Sequence, residues 1–153
     1  MDRVLVIDFG SQYTQLIARR IREHEVYSEI WPCTRTLKEI EAFQPAAIIL
    51  SGGPDSVHLD GAPSIETEVF NLGVPVLGIC YGMQLMTHTL GGQVVRADQH
   101  EYGRAQVEFT SDAALMKGVD ATANQTEVWM SHGDQVTAIP EGFEVWGKSD
   151  TCP

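Results

Sequence analysis

The chain has 153 residues, 43% hydrophobic and 20% charged, which allows one domain with a sizeable core and excludes a disordered polymer. Its formal charge of −11 argues against a general nucleic-acid surface. The opening run Val4-Leu5-Val6-Ile7 is too short for a signal peptide, and no stretch approaches the roughly 20 apolar residues of a membrane span, so a cytoplasmic protein is expected.

Arg3 to Phe9 reads as a buried strand ending in Gly10-Ser11, and Tyr13 to about Glu23 then carries Leu16, Ile17 and Ile21 at helical spacing. Arg19, Arg20 and Arg22 fall on what should be a solvated helix face. Val26 to Trp31 and Leu37 to Phe43 repeat the alternation, and Ala46 to Leu50 is a fully apolar run followed by Ser51-Gly52-Gly53-Pro54. Ile65 to Leu72 is expected to be a helix and Val74 to Ile79 a strand. Tyr81 to about Leu90 should be the next helix, stopped by Gly91-Gly92. After Gly92 the pattern changes to strand-like pieces: Gln93-Val94-Val95, Gln106 to Phe109, Val128-Trp129-Met130 and Glu144-Val145-Trp146. No repeat, low-complexity tract or linker interrupts the chain. The fold class is therefore α/β: a flavodoxin-like, doubly wound, mostly parallel sheet with its active edge at the C-terminal ends of the strands. A small antiparallel extension is expected at one end of the core.

Gly78-Ile79-Cys80-Tyr81-Gly82 lies between the fourth strand and the helix after it. A turn that sharp needs glycines, and it would stand the middle side chain at the sheet edge as a nucleophile elbow. A helix N-terminus beside Cys80 would favour the thiolate. The plainer alternative is a buried structural cysteine at a strand end. The chain's other cysteines are Cys33 and Cys152, an odd total without C-x-x-C spacing, so neither a disulfide framework nor a cysteine zinc site is suggested. Asn124-Gln125-Thr126 matches a glycosylation sequon and, without a secretory route, reads as chance.

Ser51-Gly52-Gly53-Pro54-Asp55-Ser56 admits two chemical readings beside that of an ordinary Gly/Pro turn. It has the look of a pyrophosphate-gripping loop, but such a loop needs a helix starting at once, and 57–63 is poor helix material. In the other reading, the Gly53 N–H pairs with that of Tyr81 as a two-donor oxyanion hole for acyl transfer to a thiolate.

Four strings occur in order: Ser51-Gly52-Gly53-Pro54, Gly78-Ile79-Cys80-Tyr81-Gly82-Met83-Gln84, Glu101-Tyr102-Gly103-Arg104-Ala105 and Val128-Trp129-Met130-Ser131-His132-Gly133-Asp134. Together with Asp8-Phe9-Gly10-Ser11-Gln12-Tyr13, they make the chain resemble, nearly end to end, the glutaminase domain of the GMP synthetases, among the triad glutamine amidotransferases. The resemblance implies that Cys80 attacks the side-chain amide of glutamine while the Gly53 and Tyr81 N–H groups hold the oxyanion. Ammonia then leaves a glutamyl thioester that water hydrolyses to glutamate. Gly52 and Gln84 would help hold the substrate, Gln84 from one helical turn past Cys80. Ser131, His132, Gly133 and Asp134 would form the loop that receives the α-amino and carboxylate groups of glutamine. The ammonia would serve an ATP-dependent synthetase domain, fused to this one or separate from it, that converts XMP to GMP. No cofactor or metal is implied in this domain; ATP and Mg belong with the synthetase partner, and a homodimer remains open.

The family's base is a His-x-Glu pair. None of the five histidines here, His24, His58, His88, His100 and His132, has a glutamate two residues later. His132-Gly133-Asp134 is a His-x-Asp substitute that the resemblance assigns to substrate instead. His24 reads as a helix end, His88 as helix surface or core and His100 as loop, while Met83, Met86 and Leu90 read as core packing. Residues 1–153 are thus expected to be an incomplete amidotransferase domain, continuing past Pro153 and lacking its base and last strands. The alternatives are a catalytically inactive module that binds glutamine or docks a partner, and a cysteine hydrolase acting on another acyl substrate.

Overall fold

A computed structural model describes residues 2–110, 115, 117 and 125–150, with side chains left out at 97–102, 131 and 132. The chain divides into two compact units, Met1–Thr89 and Leu90–Pro153. Asn124 and Cys152 lie outside the described residues.

The first unit is built on β1 (Arg3–Asp8), α1 (Thr14–Glu23), β2 (Tyr27–Pro32), α2 (Leu37–Phe43), β3 (Ala47–Leu50), β4 (Val76–Gly78) and α3 (Tyr81–Thr89). Its strands are all parallel in the order β2-β1-β3-β4, which is the order of a flavodoxin-like sheet. Direction reverses after β2, and right-handed crossovers then put α1 on one face and α2 on the other. The connection from β3 to β4 runs the same way as that from β2 to β3, and its single 3-10 turn, Thr67–Asn71, packs with α2. Leu5, Val6 and Ile7 of β1 are fully buried, as a central strand covered on both faces requires. Ile48, Leu50, Ile40, Val69 and Leu85 complete the core around them.

Several expectations shift in detail. The helix expected over Ile65 to Leu72 is only that 3-10 turn, because the β-branched Thr67 and Val69, with Asn71, hold too short a segment for an α-helix. In α1 the covered stripe is Thr14, Ile17, Ala18 and Ile21, so Leu16, two residues from the stripe's start, turns outward and is exposed. Arg19 and Arg20 pair with Glu23 on the open face, as expected, while Arg22 donates to the Ser28 carbonyl at 2.9 Å and ties the helix end to β2. No helix among the described residues is long and apolar enough to cross a membrane.

The second unit is a three-stranded antiparallel sheet, β6-β5-β7, of β5 (Gln93–Phe109), β6 (Gln125–Ala138) and β7 (Gly147–Ser149). The pieces expected at Gln93–Val95 and Gln106–Phe109 are one long strand, since β6 supplies hydrogen-bond partners to both, with register shifts between Gln93 and Val94 and between Arg96 and Glu101. His100 is accordingly in β5 and not in a loop. The last strand begins just past Trp146 instead of covering Glu144–Trp146.

At the start of α2, Thr36 and Glu39 form a reciprocal capping box: Glu39 Oε2 accepts from the Thr36 N–H at 2.9 Å and Thr36 Oγ1 from the Glu39 N–H at 3.4 Å. The Thr36 N–H first, then Arg35 and the Thr36 hydroxyl, hold the Glu39 carboxyl down from 4.5 to about 2. A carboxyl with a depressed folded-state pKa stabilises above its ordinary value and loses that contribution as pH falls through the folded one. Glu39→Ala should therefore lower the urea midpoint at neutral pH, and the gap to the parent should narrow progressively as pH falls from about 5 through about 2. A gap independent of pH would remove the charge from the explanation.

Candidate active site

Strand β4 ends at Gly78, and α3 begins at Tyr81, leaving Ile79 and Cys80 to make the turn. Cys80 has φ +49°, in the left-handed region that L-residues with a Cβ avoid. Its neighbours explain why the turn is so tight. A Cβ on Gly78 would stand 2.6 Å from Met83 Cα, and one on Gly82 would overlap the carbonyl and side chain of Leu50. The first turn of α3 is thus pressed against the ends of β4 and β3. Backbone bonds lock it there: Ile79 N–H to Leu50 O at 2.9 Å, Gly82 N–H to Ser51 O at 3.0 Å and Gln84 N–H to Cys80 O at 3.0 Å. The result is the expected elbow, with Cys80 exposed at its tip.

Tyr81 turns the other way. It is 2% exposed, its ring lies 5.4 Å from that of Phe9, and its hydroxyl donates to Pro63 O at 2.5 Å. Only the backbone N–H of Tyr81 is thus available to chemistry at the tip, and at the first position of a helix that N–H has no intrahelical acceptor. Gln84 follows one turn on, with its side chain also buried. Met86 packs against the core as expected, whereas Met83 is exposed. His88 is an exposed residue of α3, its ring 6.0 Å from that of His58.

The loop after β3 comes up beside the elbow. A Cβ on Gly52 would be 3.5 Å from Cys80 Cβ, in ordinary contact, so the loop lies directly beside the cysteine. A Cβ on Gly53 would stand 2.5 Å from Phe9 O, a distance no side chain tolerates. Beyond Pro54 the chain runs in turns, with Leu59 N–H on Ser56 O and Ala62 N–H on Leu59 O, and no helix follows to grip a phosphate. The C-terminal ends of β1, β3 and β4 therefore converge at the reversal of strand order, where doubly wound sheets place their ligands.

Under the loop lies a polar cluster to which the sequence analysis assigned no role. Ser51, fully buried, lies with Oγ 3.1 Å from Gly52 O, 3.3 Å from Phe9 N and 3.1 Å from Thr14 Oγ1, and Thr14 Oγ1 is 2.9 Å from Asp8 Oδ1. The signal in the sequence is Asp8 and Ser51, at or just beyond the ends of apolar strands, with Thr14 opening the helix that follows the first of them.

Although Cys80 is exposed, partial desolvation of its sulfur pushes the thiol pKa up, and no charged group among the described residues offsets this. Cys33 is half-buried, and desolvation raises its thiol too. Ser131, His132, Gly133 and Asp134 belong to the second unit, in β6 and not in a loop; Ser131 faces Tyr102 in register, His132 faces Glu101 and Asp134 faces Arg96. Pairing to β5 on both sides of Gly133, across the register shift between Arg96 and Glu101, makes them strand. Among the described residues no group of His, Cys, Asp or Glu is placed to hold a metal ion.

Comparison with known proteins agrees with this geometry. A family model described as "Glutamine amidotransferase class-I" matches residues 5–152. The "GMP synthase [glutamine-hydrolyzing]" of Lactiplantibacillus plantarum is 58% identical over 153 residues, 99% of this chain and 29% of that protein. Its namesake in Maridesulfovibrio salexigens is 54% identical over 152 residues, with the same shares. The chain thus spans about 29% of the length of these curated relatives. Among solved structures, a putative GMP synthase component from Thermoplasma acidophilum superposes with a TM-score of 0.77 at 24% identity, over 99% of this chain and 75% of that one. A glutamine amidotransferase from Thermotoga maritima gives 0.72 at 22% identity, over 99% and 68%. The structural likenesses carry the fold, and the family match carries the membership: the chain belongs to the class-I glutamine amidotransferases.

Proposed function

We propose that this chain is the glutamine-hydrolysing part of a GMP synthase. The observation that carries the reading is Cys80, strained and exposed at the elbow, with the Gly52-Gly53 backbone against it. Sulfur attacks the side-chain amide carbon of glutamine; a C–S bond forms and the carbonyl oxygen becomes an oxyanion held by the Gly53 and Tyr81 N–H groups. The C–N bond then breaks, ammonia leaves with the proton it needs, and water cleaves the thioester to glutamate and the free thiol. The resemblance assigns Gly52 and Gln84 to the substrate and Ser131 to Asp134 to the amino-acid end of glutamine. The relatives' name supports a link to GMP synthesis; in the proposed reading an ATP-dependent synthetase partner, using Mg, takes the ammonia in the cytoplasm to convert XMP to GMP.

The thiolate is the nucleophile, so a thiol whose pKa is raised calls for a base to take its proton. Within residues 1–153 no histidine has the family's glutamate two positions on. The polypeptide 1–153 alone should therefore release little or no glutamate from glutamine, while the full-length protein should do so and lose this activity on Cys80→Ala. Robust Cys80-dependent turnover by 1–153 would make another histidine the base, His132 first among them, and remove it from the substrate site.

A glutamine-mimicking chloroketone should label Cys80 ahead of Cys33 and Cys152, and mass spectrometry of the digested protein would read this directly. Equal labelling of all three in folded protein would contradict the assignment. Gly53→Pro removes one oxyanion donor and also drives a Cβ against Phe9 O, so turnover of the full-length protein should fall by at least the roughly 10²- to 10³-fold that one donor is worth. In 1–153, alkylation of Cys80 by iodoacetamide should keep rising above the pH at which an ordinary thiol levels off.

A further inference from the structure

The Gly53 N–H can serve an oxyanion only if the peptide joining Gly52 to Gly53 is turned the right way. That peptide has no side chain on either flank to hold it, and glycine backbones rotate freely. In a trans peptide the C=O and the N–H point in opposite directions, so whatever fixes the Gly52 carbonyl also fixes the Gly53 N–H.

The carbonyl has a holder. Ser51 Oγ is 3.1 Å from Gly52 O, in a fully buried position. The proton count around it bears on the direction of each bond. Phe9 N–H, 3.3 Å away, can only donate to Ser51 Oγ. Thr14 has one proton and three acceptors nearby, Asp8 Oδ1 at 2.9 Å, Ser51 Oγ at 3.1 Å and Ser11 O at 3.3 Å, and Asp8 Oδ1 already accepts from the Gly10 N–H at 2.9 Å. Whichever of the three takes the Thr14 proton, the Ser51 proton can go to Gly52 O. If Thr14 donates to Asp8 and Ser51 to Thr14, the Gly52 carbonyl loses its partner within the cluster, and an unmade bond at a buried carbonyl is the more costly outcome.

We infer that Ser51 is a positioning residue for the oxyanion hole: its hydroxyl holds the Gly52 carbonyl toward the interior and so turns the Gly53 N–H outward, to the side where Cys80 is exposed. The inference rests on the glutaminase reading above. Ser51 touches neither sulfur nor substrate, so its effect belongs to the acyl-transfer step alone. Reactions of Cys80 that form no oxyanion should not depend on it.

The test is made in the full-length protein with Ser51→Ala, which deletes the hydroxyl, and Ser51→Cys, which keeps the size and replaces it with a weak donor. Both should lower kcat for glutamine hydrolysis by about 10- to 100-fold, less than loss of the donor itself, with KM changed by less than about threefold. Alkylation of Cys80 by iodoacetamide, a displacement at saturated carbon, should stay within about twofold of the parent. Ser51→Thr, which restores a hydroxyl, should recover most of the lost kcat. Unchanged kcat in the Ala and Cys variants overturns the inference, as does a parallel loss of alkylation and turnover, which would mean a general disturbance of the elbow. A parent protein that alkylates at Cys80 yet releases no glutamate refutes the glutaminase reading itself, a result visible before any Ser51 variant is made.

Discussion

The structure depends on a backbone conformation that a cysteine does not choose for itself. At φ +49° the Cys80 backbone lies in the left-handed region, which costs an L-residue roughly 1–2 kcal/mol. Surrounding contacts hold it there. With glycine at 78 and 82, α3 can start almost on top of β3 and β4, and the bonds from Ile79 to Leu50 and from Gly82 to Ser51 fix the two ends of the turn. Burial of Tyr81 and Leu85 on the inner side of α3 anchors the helix, so the strained residue is the one left facing out. Several bonds at about 1 kcal/mol each, plus burial of a tyrosine and a leucine, exceed the strain comfortably.

That constraint also explains the loop after β3. Phe9 O leaves no room for a Cβ on Gly53, while one on Gly52 would reach only ordinary contact with Cys80 Cβ, at 3.5 Å. The loop is bare of side chains at both positions. A loop so stripped has no packing to set its peptide planes, and the hydroxyl of Ser51 beneath it supplies an orientation that packing cannot. Strand order, strained turn and bare loop belong to one arrangement at the point where the sheet changes direction.

Much of this was legible in the sequence because it is local. The runs Val4–Ile7 and Ile48–Leu50 can hardly be anything but buried strands, and Gly78-Ile79-Cys80-Tyr81-Gly82 carries its own geometric instruction. What was not legible depends on partners distant in the chain. Leu16 satisfies helical spacing, yet which stripe of α1 is covered is decided by Ala18 packing near Ser28, whose hydroxyl donates to the Ala18 carbonyl. Gln93–Val95 and Gln106–Phe109 look separate until β6 is seen to pair with both. The bonds of Ser51 to Phe9 and Thr14 join residues that no periodicity connects. The partial desolvation that raises the Cys80 thiol is likewise a property of the folded surroundings, which no sequence pattern reports.

Alanine and glycine at position 80 measure the strain directly, because both lack the thiol and differ only in the Cβ. At an ordinary position glycine is the less stable of the pair by about 0.5–1 kcal/mol, through the entropy of the unfolded chain. At a left-handed position the sign reverses. Urea unfolding of Cys80→Gly and Cys80→Ala should find the glycine variant more stable, by about 1 kcal/mol. An alanine variant more stable than the glycine one would show that residue 80 is not held left-handed, and the elbow account would fall with it.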